Sequence, residues 1–166
     1  GNVAMDVALV SKRLGVEKVR LVCLEKREEM PASPEEIARV LEEGVEFING
    51  RGLLEVIRDE NGNVRGMKTN RCLSVRDAEG HFNPQYDNDD VQVIESDCII
   101  LATGQRVDID FLGEELKAQI KSLRGLLDVN EDNATRRPGV FAGGDAATGP
   151  DIAIRAISSG MHAARA

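Results

Sequence analysis

Gly1-Asn2-Val3-Ala4-Met5-Asp6 is the run of residues that most directly indicates the fold class of this chain. A dinucleotide-binding loop of the form G-x-G-x-x-G/A needs small residues where the backbone approaches a pyrophosphate, followed by a helix whose N-terminus faces that negative charge. Gly1 and Ala4 match the second and third small positions of such a loop. A glycine before a helix is also ordinary turn chemistry, so the choice between a nucleotide loop and a simple turn depends on the residues that follow.

The residues after this run alternate between helical and strand patterns. Apolar side chains recur at helical spacing over residues 3–14, a helix stop follows at Gly15, and residues 19–24 predict a short aliphatic strand. Ser33-Pro34-Glu35-Glu36 is a capping box that opens a second helix, and residues 45–48 predict another strand. The apolar face of the second helix comprises Ile37, Val40 and Leu41. This alternation predicts a partial, Rossmann-like doubly wound sheet of the α/β class.

The middle of the chain has the pattern of an antiparallel sheet. Residues 53–58 and 64–75 flank Asn61-Gly62, which is the strongest short signal for a hairpin. Residues 76–90 are polar and acidic, and strand character returns over residues 91–95. We therefore expect a three-stranded β-meander whose second connection is a long loop.

The last part of the chain predicts a return to buried strands. Residues 98–102 are continuously apolar, as in a buried parallel strand. Short elements are expected from Gln105 to residues 126–129, and a short apolar strand over residues 139–142. Gly143-Gly144-Asp145 then forms a turn suited to holding a ribitol or a phosphate. A final helix is expected after Asp151 as N-cap. Its apolar positions include Ile154, Ile157 and Met161.

The composition excludes several classes of function. A net charge of −8 and a pI near 4.9 argue against binding to a nucleic acid backbone. No apolar run approaches the roughly 18 residues of a membrane span and no signal-like segment is visible, so we expect a cytoplasmic protein without a membrane anchor. The three cysteines include no Cys-x-x-Cys pair, so neither an iron–sulfur ligand set nor a redox disulfide is predicted.

No metal site is predicted either. His81 and His162 have no histidine or cysteine partner at ligand spacing. Asp87-Asn88-Asp89-Asp90 has the composition of a calcium loop, but Gln92 stands where the turn glycine of such a loop belongs. We interpret these acidic residues as part of a hairpin loop.

A carboxylate lies where a dinucleotide-binding domain commonly places one. Glu25 follows the predicted strand and stands 24 residues after Gly1. In such domains an acidic residue about 20 residues beyond the loop accepts hydrogen bonds from the ribose hydroxyls. Glu25 therefore favours the interpretation of the opening run as a nucleotide loop.

The combined motifs resemble a known family. The opening run, continued by Arg27-Glu28-Glu29-Met30-Pro31-Ala32, is similar to the small subunit of glutamate synthase and its relatives, within the FAD-dependent pyridine nucleotide-disulfide oxidoreductases. Residues 98–104 resemble the Ala-Thr-Gly strand by which such proteins leave the nicotinamide domain. Residues 138–149 resemble their late Gly-Asp motif, whose aspartate binds the FAD ribitol.

The resemblance implies two domains and two groups of cofactor-binding positions. Residues 1–104 would form an NAD(P)-binding domain without its first strand, and residues 105–166 the C-terminal part of an FAD-binding domain; the chain would thus begin inside an inserted domain. The positions implied for the nicotinamide dinucleotide are Gly1, Asn2, Val3, Ala4, Glu25, Lys26 and Arg27, with Gly104 and Gln105 as further cofactor positions at the domain exit. The positions implied for the flavin are Gly144, Asp145, Ile152 and Ala153.

One departure from the family pattern bears on the choice of nucleotide. Relatives that use NADPH often carry two arginines at the end of the second strand, and here Leu24 and Glu25 occupy those places. A carboxylate repels a 2′-phosphate and accepts ribose hydroxyls, so we expect NADH. Lys26 and Arg27 leave NADPH as the alternative.

The implied activity is hydride transfer from NAD(P)H to FAD, with electrons passed on to a partner redox centre, either an iron–sulfur or an amidotransferase protein. Cofactors carry out this chemistry, so no catalytic side chain is predicted. The alternative is a non-catalytic nucleotide-binding or interaction module.

The strands over residues 19–24 and 98–102 should not pair with each other. An exposed strand edge of this kind can pair with a second copy of the chain, so a homodimer is possible by this route.

Overall fold

The first part of the chain is built on a pair of parallel strands with two helices. The computed structural model describes residues 1–120 and 125–166, in two units, Gly1–Gly104 and Gln105–Ala166. In the first unit, β1 and β2 run parallel with Leu21 opposite Phe47. The elements in chain order are α1 (Asn2–Arg13), β1 (Arg20–Val22), a 3₁₀ helix (Arg27–Glu29), α2 (Pro34–Glu42) and β2 (Glu46–Ile48).

The helical spacing of the apolar residues produces the core of this layer. Met5, Ala8 and Leu9 lie three and four positions apart on α1, and all three are buried. The other buried members of the core are Leu21, Ala32, Val40 and Val45. Half of the predicted capping box is confirmed, since Ser33 Oγ accepts a hydrogen bond from the backbone N–H of Glu36 at 3.4 Å. The reciprocal bond is absent, because the N–H of Ser33 donates to Asn2 Oδ1 and not to Glu36. The prediction that Leu41 lies on the buried face of α2 was wrong, because this residue is 46% exposed.

The predicted meander is confirmed, with strands in the order β3-β4-β5. Its strands are β3 (Arg51–Arg58), β4 (Val64–Arg76) and β5 (Phe82–Glu95). Asp59 organises the first turn, because its Oδ1 accepts hydrogen bonds from the backbone N–H groups of Asn61 and Asn63, both at 2.9 Å. Gly62 supplies the left-handed conformation of that turn with a φ of +82°.

The long second loop was predicted wrongly. A short turn replaces it, in which Asp77 Oδ1 accepts hydrogen bonds from the N–H groups of Glu79 and His81 at 3.2 and 2.9 Å. The acidic residues 87–90 lie within β5, where a bulge separates the pair Asn70–Val91 from the pair Arg71–Asp87. An edge strand exposes one face to water and tolerates this composition.

The prediction of a buried strand over residues 98–102 was also wrong. These residues adopt no strand, and the side chains of Ile100 and Leu101 are 59% and 68% exposed. An apolar run becomes a strand only beside a partner that satisfies its backbone, and among the described residues β1 pairs with β2 alone. The expectation that β1 and a strand over residues 98–102 do not pair stays a prediction, because residues 98–102 form no strand.

The second unit consists of helices and turns. Its elements are a 3₁₀ helix (Asp110–Leu112), α3 (Gly113–Ile120), α4 (Asp145–Thr148) and α5 (Ala153–Ala163). The strand expected over 139–142 was wrong as a strand, although an isolated bridge joins Ala134 to Phe141. The N–H of Ala142 donates to the carbonyl of Asn133, and the N–H of Leu127 donates to the carbonyl of Ala146 in α4 at 2.8 Å.

The N-cap of the last helix lies one residue later in the chain than predicted. Ile152 is the N-cap of α5, and Asp151 Oδ1 accepts a hydrogen bond from the N–H of Ile152 at 2.7 Å. Ile154 and Ile157 on this helix are exposed. None of the helices among residues 1–120 and 125–166 is both long and apolar enough to cross a bilayer.

Candidate functional site

The N-terminus of α1 carries no side-chain cap, and Gly1 is its N-cap residue. The first N–H groups of a helix lack partners inside it and attract anions. Val3 is 68% exposed, whereas Ala4 packs against the core. This end of α1 therefore has the donors for an anionic group.

Asn2 ties the two helix N-termini together. Its Oδ1 accepts a hydrogen bond from the backbone N–H of Ser33, the N-cap of α2, at 2.9 Å. The side chain of Asn2 thus positions the helices, and its backbone N–H is what it offers to a ligand. This bond spans 31 residues, so no local pattern in the sequence could have predicted it.

The ends of β1 and β2 hold the backbone of Glu25. Because the strands are parallel, their carboxyl ends meet at one edge of the sheet, where α/β proteins bind ligands. The carbonyl oxygen of Glu25 accepts hydrogen bonds from Asn49 Nδ2 and from the N–H of Gly50, both at 3.1 Å. Asn49 was missed by sequence reasoning, although an Asn-Gly pair directly after a strand was the available signal.

Two thiols lie close to the charge of Glu25. Burial raises the pKa of Cys23, and the Glu25 carboxylate raises it further, while a hydrogen bond from Asn49 Nδ2, 3.2 Å from the sulfur, acts in the opposite direction. Burial also raises the pKa of Cys72, and the negative charges of Glu25 and Glu29 raise it further. Both thiols are therefore held in the neutral form.

A cleft of about 600 Å³ lies beside these strand ends, between them and the meander. Its charged lining residues are Lys26, Arg27, Glu28, Arg51, Arg71 and Asp90. Arg51 Nη2 forms an ion pair with Asp90 Oδ1 at 2.8 Å, and the Arg51 side chain is only 10% exposed. The guanidinium of Arg27 stacks 4.5 Å from the centre of the Phe47 ring.

The Gly143-Gly144-Asp145 turn rests on α5. Ser159 Oγ accepts a hydrogen bond from the N–H of Gly144 at 3.3 Å, and the side chain of Asn133 bonds to the hydroxyl and the carbonyl of the same serine. Gly144 has a φ of +59°, and a Cβ added there would lie 3.0 Å from the Cβ of Ala156. Sequence reasoning missed this role of Ser159, because the residue lies inside a helix and belongs to no recognised serine motif.

The predicted flavin positions lie at this turn and at the start of α5. Asp145 begins α4 with an exposed side chain, which forms no hydrogen bond or ion pair with the described part of the chain. Ile152 is exposed at the N-cap of α5 and Ala153 is its first residue. The structure thus brings Gly144 onto the helix that Ile152 and Ala153 begin, and Asp145 follows Gly144 directly.

The remaining predicted cofactor positions are Gly104 and Gln105. Gly104 and Gln105 are exposed, lie outside helices and strands, and stand at the division between the two units. Gly104 adopts a φ of +99°. In the described ranges, no group of three or more His, Cys, Asp or Glu side chains could hold a metal ion.

Comparison with known proteins identifies relatives over nearly the whole chain. The family model described as pyridine nucleotide-disulphide oxidoreductase matches residues 1–160. The chain is 34% identical to the NADP(+)-dependent formate dehydrogenase subunit beta of Moorella thermoacetica, over 99% of this chain and 23% of that protein. It is 32% identical to the glutamate synthase [NADPH] small chain of Escherichia coli K12, over 99% of this chain and 36% of that protein.

A third relative and a solved structure agree with these matches. The NADPH-Fe(3+) oxidoreductase subunit beta of Geobacter sulfurreducens is 32% identical, over 99% of this chain and 28% of that protein. The thioredoxin reductase of Lactococcus lactis superposes with a TM-score of 0.76 at 20% identity, covering 99% of this chain and 48% of that one.

These matches confirm the family resemblance and the Rossmann-type α/β fold class predicted from the sequence. The chain spans about a quarter to a third of the length of these curated relatives. Pyridine nucleotide-disulphide oxidoreductases are redox enzymes that combine FAD with NAD(P)H. With the family model covering all but the last six residues, the chain belongs to the pyridine nucleotide-disulphide oxidoreductase family.

Proposed function

We propose that this chain supplies the nicotinamide-binding domain, residues 1–104, and the trailing part of the FAD-binding domain, residues 105–166, of an NAD(P)H:acceptor flavoprotein. The observation that carries the proposal is the pair of features formed by the uncapped N-terminus of α1 and the ends of two parallel strands. Helix N-termini and strand ends of this kind bind dinucleotides. The family match supports the same assignment.

The dinucleotide would be held by donors at one end and acceptors at the other. Backbone N–H groups of residues 1–4 would face the pyrophosphate, and the half-buried Glu25 would accept the ribose hydroxyls. Because a carboxylate repels a 2′-phosphate, this arrangement favours NADH. NADPH is the second candidate: the cationic Lys26 and Arg27 line the neighbouring cleft, and the names of the relatives cite NADP or NADPH.

The second unit has groups suited to a flavin. The exposed carboxylate of Asp145 would accept hydrogen bonds from the ribitol hydroxyls, and Gly144 would leave room for the backbone to approach it. The N-terminus of α5 at Ile152 and Ala153 would place a positive helix end near the ring. Bound FAD supplies the chemistry of accepting a hydride and releasing single electrons.

The acceptor beyond the flavin is a further part of the proposal. The relatives are named as subunits or small chains, which supports a partner subunit bearing an iron–sulfur centre or an amidotransferase. We propose a cytoplasmic enzyme assembled in this way, with a homodimer as the other assembly. No side chain of this chain is assigned a catalytic role, because the cofactors carry the reaction.

The proposal is tested by anaerobic mixing of the full-length flavoprotein with NADH. We expect flavin absorbance to bleach in a phase whose rate rises with NADH concentration. A yellow protein whose flavin is not reduced by NADH or NADPH would contradict the proposal. A colourless protein that binds NADH would instead support the non-catalytic nucleotide-binding module.

A further inference from the structure

The cleft beside the strand ends is lined by more positive than negative side chains, although the chain as a whole is acidic. The chain has a net charge of −8, yet four cationic side chains and only two carboxylates are found among the described residues that line this cleft. The sign of this local charge is opposite to the net charge of the chain. A local excess of cations in a concave site indicates an anionic ligand.

Two of the four cations already have partners. Arg51 is nearly buried and bonds to the Asp90 carboxylate at 2.8 Å and to its backbone carbonyl at 2.9 Å. Arg27 stacks on the ring of Phe47. These contacts hold both guanidinium groups in place, and the charge of Arg51 is neutralised inside the protein.

Lys26 and Arg71 are the cations that remain available. Both are exposed, and neither side chain forms an ion pair or a hydrogen bond with the parts of the chain that the structure describes. Arg71 stands opposite Arg51 on β3, a like-charge pair, and opposite Asp87 on β5. Asp87 forms no ion pair with Arg71 in the described part of the chain, and its Oδ1 accepts a hydrogen bond from the N–H of Asp89.

The cleft adjoins the proposed ribose site. Lys26 follows Glu25 directly, and the cleft-lining residues Asn49 and Gly50 hold the Glu25 carbonyl. A volume of about 600 Å³ is of the size that accommodates a small ligand. Arginine binds phosphate in a planar, two-point geometry, and lysine adds a mobile point charge.

We propose that Arg71, together with Lys26, binds the 2′-phosphate of NADPH, and that Arg71 is a specificity-determining residue of this chain. The inference rests on the proposed nucleotide site. It assigns the phosphate contact to a strand of the meander, in place of the strand end where Leu24 and Glu25 stand. The chain then accepts NADPH as well as NADH, and the ratio of the two affinities depends on Arg71.

The test compares nucleotide affinities by calorimetry in the unmodified full-length protein and in variants. Arg71→Gln should weaken NADPH binding about tenfold and leave NADH binding within about twofold, because only NADPH carries the extra phosphate. Lys26→Gln should weaken NADPH selectively by a smaller factor, and Arg71→Lys should retain part of the NADPH affinity. The matched control is Arg65→Gln, on the same strand but paired with Asp59 at 2.7 Å; it should change neither affinity.

The outcomes separate the two proposals. Equal losses of NADH and NADPH affinity in Arg71→Gln, or no loss of either in both Arg71→Gln and Lys26→Gln, would overturn the assignment of the phosphate contact alone. Failure of the unmodified protein to bind either nucleotide would overturn the proposed nucleotide site and the assignment together. Higher salt should weaken NADPH binding more than NADH binding, and equal salt dependence would count against the assignment.

Discussion

Ser159, in the middle of α5, accepts a hydrogen bond on its Oγ from the backbone N–H of Gly144 at 3.3 Å. Asn133 completes the arrangement, since its Nδ2 donates to the Ser159 carbonyl at 3.1 Å. Asn133 has a φ of +60°, an unusual value for a residue with a side chain, and its side chain bonds compensate for that conformation. The backbone that leads into Asp145 is thus positioned by a helix whose serine showed no functional motif.

Replacing Ser159 with alanine should loosen this turn. The change removes an acceptor for the Gly144 N–H, so we expect the free energy of unfolding to fall by about 1 kcal/mol and bound flavin to dissociate faster. Denaturant titration and flavin release measure the two effects. Ser158→Ala is the matched control, because Ser158 is exposed and its side chain has no partner within the described residues. Equal effects of the two substitutions would contradict the positioning role of Ser159.

Replacing Gly144 with alanine should be more harmful. Only glycine adopts a φ of +59° with a ψ of −150° without backbone strain, and the added Cβ would lie 3.0 Å from the Cβ of Ala156. We expect a loss of roughly 1–3 kcal/mol in the free energy of unfolding, measured by denaturant titration. Gly160→Ala, inside α5 with open space around it, should be neutral or stabilising. A tolerated Gly144→Ala would show that the turn is not constrained as described.

Replacing Glu25 with glutamine should shift the choice of nucleotide. The amide no longer repels a 2′-phosphate and is a weaker acceptor for ribose hydroxyls, so NADPH affinity should rise and NADH affinity should fall, each by a factor of about three to ten. Calorimetry with both nucleotides measures the shift. The exposed Glu17, whose side chain has no partner in the described ranges, provides the control Glu17→Gln. If the affinity ratio is unchanged in Glu25→Gln, Glu25 is not the ribose acceptor.

Stability of the protein should decrease at alkaline pH. The pKa values of Cys23 and Cys72 are raised above 9.0 in the folded state, chiefly by burial and then by Glu25, so folding favours the protonated thiols. Their contribution is fully present below pH about 9, the unfolded value, and is lost as the pH rises through the higher folded values. Urea titrations at pH 7.5, 9 and 10 should show this decline. Cys23→Ala should reduce its steepness, and an identical slope in that variant would contradict the assignment to Cys23.

Local features were predictable because their interactions span few residues. The capping bond from Glu36 to Ser33 covers three positions, and the turn that includes Asn61-Gly62 is closed by the neighbouring Asp59. The spacing of Met5, Ala8 and Leu9 determines which side of α1 can be buried. Features that depend on a distant partner were the ones predicted wrongly. Residues 98–102 have the composition of a buried strand but no strand beside them in the described structure.

In the candidate site, too, features that belong to short motifs were predictable and features that depend on distant residues were not. The sequence by itself determined the helix that starts after Gly1, the carboxylate at the end of the next strand and the turn at Gly144, because each belongs to a short motif. Only the tertiary structure placed Asn49 on the Glu25 carbonyl, Ser159 on Gly144, and Arg71 in one cleft with Lys26. These pairs are separated by 15 to 45 residues. The paths of the meander and of α5 bring them together, since hydrogen bonds and charges act over ångströms in space and not over distance along the chain.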